Sequence, residues 1–263
     1  MITLIIGNHP RHFYFASQIQ NFLNIDTLII ERRENFFTND KELTKLEKIH
    51  FKKRGEAEFS FFGKVNENNI KSKSVFFINR DDLNNGKLEK ILQDKENLNL
   101  ISYGCHKLDN KILNKFKFNK WNVHGGLSPS YRGSITHFWP TYLLEPEFTG
   151  MTLHKLTSDI DGGEIIYQSV VDLNKDDGIH ENAARCVKEF SDKIGNKLKN
   201  INFEKELIGI SQNSAGRIWT SKMWTPKLLD VIYNHFEDKI NKFCFENNSI
   251  MNSKEINLKS VLD

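Results

Sequence analysis

Several protein classes are ruled out by what this 263-residue chain does not contain. Its three cysteines, Cys105, Cys186 and Cys244, are odd in number and far apart. That spacing supports neither a disulfide framework nor a metal-ligand cluster, and it reads as buried free thiols in a reducing compartment. No metal is expected. A surplus of charge is missing too. Thirty-seven Lys and Arg against 34 Asp and Glu leave +3, with the signs mixed along the chain, too little to argue for a nucleic-acid partner. Lys- and Asn-rich runs such as 66–73 read as solvated surface. No stretch approaches the ~18 apolar residues of a membrane span. The opening run Ile2–Ile6 is too short for a signal core and lacks a basic start, so a cytoplasmic protein with no membrane partner is expected. The first apolar run is not followed by Gly-x-Gly-x-x-Gly, so nothing points to a dinucleotide. No internal repeat is visible.

What the chain does have is an alternation of short apolar runs and helix-spaced segments. Ile2–Ile6, Thr27–Ile30, Ser74–Ile78, Leu98–Tyr103 and Trp121–His124 read as buried strands. Between them, helices are expected from about Arg11, over 40–54, over Leu83–Leu92 and from the N-cap Asp109 to about Phe116, with a short strand at Phe59–Phe62. This is the pattern of an α/β, Rossmann-like, doubly wound and mostly parallel sheet. Beyond residue 134 the spacing predicts a helix over Thr136–Leu144, strands over Gly150–Leu156 and Glu164–Val171, and a long helix over Gly178–Leu198. A loop over 201–220, an amphipathic helix over Pro226–Phe243 and a polar tail over 246–263 complete the reading. The chain thus divides into a catalytic domain over 1–200 and a short C-terminal extension over 201–263. The apolar face of the 226–243 helix can pair two copies in a homodimer or pack on its own domain.

The most informative stretch is Trp121–Gln168, which sets an amide (Asn122), an imidazole (His124) and a carboxylate (Asp161) among turn-forming glycines and prolines. These groups can run an acyl transfer without a covalent nucleophile: amide and imidazole steady an oxyanion, and the acid charges the imidazole and helps move a proton. Around them stand Ser128-Pro129-x-Tyr131-Arg132-Gly133, Thr149-Gly150-x-Thr152-x-His154 and Asp161-x-Gly163-x-Ile165-x-x-Gln168. Asn8-His9-Pro10-Arg11-His12 lies at the first turn of the first helix, where backbone N–H groups attract anions. Asn8, Arg11 and His12 are therefore candidates for a phosphate contact, and Arg11 and His12 equally for capping the helix start. Arg132 either pairs beneath its loop or touches a ligand. His154 reads as a hydrogen-bonded support residue. Trp219, Trp224 and Tyr233 read as core packing or as stacking partners for a base.

The segment resembles the formyltransferases that use 10-formyltetrahydrofolate, whose pattern runs Asn-x-His-x-Ser-x-Leu-Pro-x-Tyr-Arg-Gly, then Thr-Gly-x-Thr-x-His, then Asp-x-Gly-x-Ile. Here Gly125-Gly126 and Ser128 depart from it. The resemblance implies Asn122, His124 and Asp161 as the catalytic trio. It further implies that Tyr103, Gly104, His106, Lys107 and Leu108, with Thr157, Ser158 and Asp159, line the pocket of the folate donor, mostly through backbone atoms. It implies a small-molecule acceptor amine. The short tail makes the chain most similar to the enzymes acting on nucleotide-linked deoxy amino sugars for surface polysaccharide such as lipopolysaccharide O-antigen. The glycinamide ribonucleotide and methionyl-tRNA enzymes, and the formyltetrahydrofolate hydrolases, are the alternatives.

Overall fold

The computed structural model describes residues 1–32, 43–93, 96–214, 216–247 and 256–262. Five strands run parallel: β1 (Ile2–Gly7), β2 (Ile25–Arg32), β3 (Ser74–Asn79), β4 (Asn99–Tyr103) and β5 (Lys120–His124). β6 (Arg132–Gly133) leaves the sheet, and β7 (Gly150–Lys155) and β8 (Ile165–Val170) extend it antiparallel. The order is β3-β2-β1-β4-β5-β7-β8, with β9 (Ile218–Trp219) pairing β6 in a separate ribbon.

The helices are α1 (Pro10–Ile19), α2 (Lys45–Phe62), α3 (Lys87–Gln93), α4 (Asn110–Leu113), α5 (Trp139–Tyr142), α6 (Ile179–Leu198) and α7 (Ile240–Glu246). One face of the sheet, through Leu4, Ile6 and Trp121, packs on Phe15, Ala57 and Phe190 of α1, α2 and α6. The other, through Ile5, Ile29 and Leu100, packs on Leu88 of α3 and Ile112 of α4. Both faces are covered, so β1 and β4 are buried at every position and read as unbroken apolar runs. The sheet is doubly wound and mostly parallel, as the alternation predicts. Its order reverses between β1 and β4, and at such a switch point the carboxyl ends of the strands form a crevice.

Three local expectations change. Phe59–Phe62 is not a strand but the last turn of α2, which starts on a Thr44/Glu47 capping box and stops at Gly63 in the left-handed region (φ 66°). His50, Ala57 and Phe62 are buried at helical spacing, and this period outweighs the local aromatic run. The expected 40–54 helix begins partly outside the described residues. Helix formation over Thr136–Leu144 is confined to Trp139–Tyr142, because Ile135 and Leu144 at its ends are left-handed (φ 58° and 61°). The Pro226–Phe243 helix is broken into a 3-10 turn (Pro226–Leu228), a π turn (Val231–His235) and α7. Glu237 and Asp238 are left-handed at the break (φ 53° and 60°). There the Asp238 carboxylate accepts from Ile179 N (3.0 Å) and pairs with Lys53 (2.9 Å), a tertiary demand that overrides the local pattern.

Leu229, Ile232 and Ile240 from this segment are buried against Leu127, Trp139 and Ile179 of the same chain. Among the described residues, no helix is long and apolar enough to cross a membrane.

Candidate active site

Strand alternation sends Trp121 and Val123 of β5 into the core beneath α6 and Asn122 and His124 to the opposite side. In the antiparallel register Asn122 faces His154 and His124 faces Thr152. Asp161 comes from the β7–β8 turn, left-handed at φ 46°, and reaches both imidazoles. His124 Nδ1 is 3.4 Å from Asp161 Oδ2, and His154 Nε2 is 3.3 Å from Oδ1. The Asn122 amide nitrogen lies 3.3 Å from His154 Nε2, while its oxygen accepts from Ser102 (2.9 Å). Residues 32 and 37 positions apart thus share one cleft at the rim of the sheet.

The surroundings fix the acid and the ring. Gly133 N–H donates to Asp161 Oδ2 (2.8 Å), and Gln212 donates to the Asp161 carbonyl (2.9 Å). His124 Nε2–H donates to the Tyr131 carbonyl (2.7 Å), which leaves Nδ1 facing the acid. A Cβ at Gly126 would lie 2.4 Å from that carbonyl and 2.5 Å from His124 Nε2, so only glycine lets the loop close around the ring. Burial pushes Asp161 up, but His124, His154 and the Gly133 N–H outweigh it and hold the acid well below the usual carboxylate range. For His124 the balance goes the other way. Burial outweighs the attraction of Asp161 and lowers its pKa. As expected, the acid favours the charged imidazole, and it does so against the cost of burial.

The two loops expected around the donor meet: Lys107 Nζ donates to the Ser158 carbonyl (2.8 Å). Thr157 Oγ1 accepts from Asp159 N (3.3 Å), closing a tight turn before Asp161. Leu108 is buried beside Leu156. His106 is held by the buried Glu31, whose carboxylate accepts from the His106 backbone N–H (2.8 Å) and contacts Nδ1. Tyr103 points beneath the rim, edge-on to His12 at 4.6 Å between ring centroids. Gly104 (φ 67°) has no room for a Cβ, which would lie 2.1 Å from His12 Nε2.

On the α1 side, Asn8 and His9 precede the helix, and His12 is 4% exposed and wedged between Gly7 and Gly104. Arg11 pairs with Glu58 of α2 (2.5 and 2.9 Å), as does Arg54 (3.0 Å). Burial pushes Glu58 up, but the two guanidiniums hold it well below its ordinary range. Burial works against Arg11, and Glu58 more than offsets it, whereas burial and Arg11 together lower Arg54. Arg54 is the surplus cation. Burial and these cations also bring His50 down to about 4 and His137 to about 3, and hold His180 well below its ordinary value. His50 Nδ1 lies 2.9 Å from Tyr233 Oη and 3.2 Å from His180 Nε2.

Arg132 donates to the Ile160 carbonyl through Nε (2.8 Å) and a terminal nitrogen (2.5 Å), bracing the turn that carries Asp161. Trp219 stacks between Tyr131 and Trp139, at 5.9 and 4.6 Å, as core. Trp224 and Tyr233 gather around His50. Sequence reasoning missed Glu31, Glu58 and the His50–His180 pair, joined to partners 47 to 130 positions away in the chain, and Arg54, which is four positions from Glu58. Glu31, directly after the apolar run Leu28–Ile30, and the i,i+4 spacing of Arg54 and Glu58 were local signs.

Comparison with known proteins points to one family. The family model described as formyl transferase matches residues 52–194, more than half of the chain. Over 122 residues the chain is 30% identical to the bifunctional polymyxin resistance protein ArnA of Wigglesworthia glossinidia brevipalpis, covering 46% of this chain and 18% of that protein. Over 80 residues it is 30% identical to the methionyl-tRNA formyltransferase of Prochlorococcus marinus (strain MIT 9515), covering 30% of this chain and 24% of that one. The matches span less than a quarter of these relatives.

Among solved structures, Rv3404c of Mycobacterium tuberculosis superposes with a TM-score of 0.55 at 15% identity, covering 85% of this chain and 77% of that one. The N-formyltransferase of Helicobacter canadensis, solved with folinic acid and dTDP-3-aminofucose, gives 0.53 at 17% identity, covering 94% and 82%. At such identities the likeness establishes a shared fold. With more than half its length matched by the family model, and an amide, an imidazole and an acid brought together at the strand ends, the chain belongs to the formyl transferase family.

Proposed function

We propose that the protein transfers a formyl group from 10-formyltetrahydrofolate to the primary amine of a nucleotide-linked deoxy amino sugar, with residues 1–200 as the catalytic domain and 201–263 as an extension bordering the acceptor. The observation that carries the reading is the convergence of Asn122, His124 and Asp161 in one cleft. The donor supplies a formyl carbon bound to a nitrogen that leaves as an amine, and the loops 103–108 and 157–159, tied by Lys107 and Ser158, would hold it.

When the acceptor amine adds to the formyl carbon, charge builds on the formyl oxygen. The Asn122 amide, steadied by Ser102, has an N–H to offer it. His124 Nε2 is engaged with the Tyr131 carbonyl, so the ring's contribution is at Nδ1: it takes the proton shed by the attacking nitrogen. The imidazolium so formed is paired with the ionised Asp161. The same proton then goes to the departing donor nitrogen as the carbon–nitrogen bond breaks.

The acceptor side favours a phosphorylated amine. Arg11 and Arg54 share one carboxylate, leaving a cation in surplus. In the field of these charges lies the buried Tyr103 hydroxyl, and beside His50 the Trp224 indole N–H; neither has a hydrogen-bond partner. A diphosphate would satisfy the surplus charge. The solved Helicobacter relative with a dTDP-linked amino sugar supports that class of acceptor.

A panel of nucleotide-linked amino sugars, incubated with the donor and followed by mass and by tetrahydrofolate release, tests the proposal. Amine-dependent turnover supports it. Release without any amine would make the protein a hydrolase, and turnover only with methionyl-tRNA or glycinamide ribonucleotide would reassign the acceptor.

A further inference from the structure

We infer that the backbone N–H of Lys259, in the C-terminal segment 256–262, is a working part of the active site, acting through Gln168 and Thr152 as positioning residues; the inference rests on the catalytic reading above. The loop 125–131 wraps the His124 ring and supplies the carbonyl that fixes it. Its backbone is held by side chains at successive points. Thr136 donates to the Gly125 carbonyl. Thr152 Oγ1 donates to the Gly126 carbonyl (2.7 Å) and accepts from Ser128 N (3.1 Å). Gln168 Nε2 donates to the Ser128 carbonyl (2.6 Å) and to Thr152 Oγ1 (3.2 Å). Thr152 and Gln168 face one another across β7 and β8 and are 0% and 4% exposed. The hydroxyl's single proton and both its acceptor sites are used, so nothing in this knot is spare.

The outer end of the knot is not in the sheet. Gln168 Oε1 accepts from the backbone N–H of Lys259 (3.2 Å). That segment lies along the free edge of β8, bridging Tyr167 through Ser260 and donating from Val261 N to the Ile166 carbonyl (3.0 Å). The Lys259 N–H orients the Gln168 amide. With its oxygen turned outward, its NH2 must face the loop. Without that bond the amide can rotate and present an oxygen to the Ser128 carbonyl, which repels it. The loop then loosens, and with it the carbonyl that sets the His124 proton.

The test uses two backbone deletions in the full chain. Lys259→Pro removes the N–H that reaches Gln168, and Val261→Pro removes one that reaches only Ile166. The expected result is a several-fold fall in kcat for K259P, unchanged donor KM, and a shifted His124 imidazole pKa by NMR, with V261P near wild type. Thr152→Val should fall at least tenfold in kcat while Thr152→Ser recovers most of it, which covers the case in which a proline variant does not fold. Equal losses in K259P and V261P, or T152S no better than T152V, overturn the inference. The NMR readout needs no substrate, so a wild-type protein without transfer activity would refute the catalytic reading and still leave this coupling to be judged.

Discussion

Two carboxylates in this fold, one partly buried and one buried, are each gripped by two bases, and the identity of the bases separates their roles. Asp161 sits between two imidazoles, at 3.3 and 3.4 Å; Glu58 sits between two guanidiniums, at 2.5 and 3.0 Å. Both acids are held ionised. An imidazole can gain or lose its proton near neutral pH, whereas a guanidinium cannot. The first arrangement can therefore carry a proton through a reaction. The second can only fix charge in place, which suits holding α1 against α2 and facing an anion.

The sharpest way to break the comparison is to remove the mobile proton. His124→Ala should lower transfer by about 10²–10³-fold, in line with the roughly 3–4 kcal/mol lost when a comparable site group is removed. Donor affinity, measured by fluorescence, should hold. A variant with most of its turnover would place the proton elsewhere. Removing the fixed charge should damage folding instead. Glu58→Ala leaves two guanidiniums facing each other, and its stability should fall by about 3 kcal/mol in urea titrations, the usual scale for orphaning part of a buried pair. If E58A were as stable as wild type, Glu58 would be a spectator.

A finer prediction separates the two arginines. Arg54→Ala should raise acceptor KM about tenfold and leave donor KM unchanged, with a smaller effect for Arg11→Ala, whose charge Glu58 already offsets. The reverse order in steady-state kinetics would make Arg11 the ligand contact. The smallest effect is in pH. His50 titrates near 6.5 when unfolded and about 4 in the fold, because of burial and Arg54. Between those values the unfolded chain binds the extra proton. Stability should therefore decline as pH falls from about 6.5 to about 4, and His50→Gln should reduce that slope, to which His137 and His180 also contribute, in urea midpoints at several pH values.

The sheet was readable in advance because burial on both faces leaves unbroken apolar runs, as in Ile2–Ile6. That Asn122, His124 and Asp161 meet was readable because all three sit in one motif-rich stretch, with Asn122 and His124 two apart on a strand and so on one side of it. What was hidden depends on distance along the chain. Nothing near Glu58 indicates Arg11, and nothing near His50 indicates His180 or Tyr233, because those contacts exist only once α2 lies across α1 and α6. The 226–243 helix was misread for a related reason: Asp238 gives up its local helix to cap α6. Thr152 and Gln168 were visible as parts of the motif, yet their purpose was not, since it lies in a loop and a tail that meet only in three dimensions.

The backbone handedness at Asp161 has one more consequence. The left-handed region is tolerated by aspartate and asparagine and resisted by longer or branched side chains. Asparagine would keep the turn's shape while discarding the charge, and a single base change in an aspartate codon is enough to write it. A lineage of this fold could thus fall silent in one genetic step while its members still fold and hold their ligands, becoming sequestering proteins in place of enzymes.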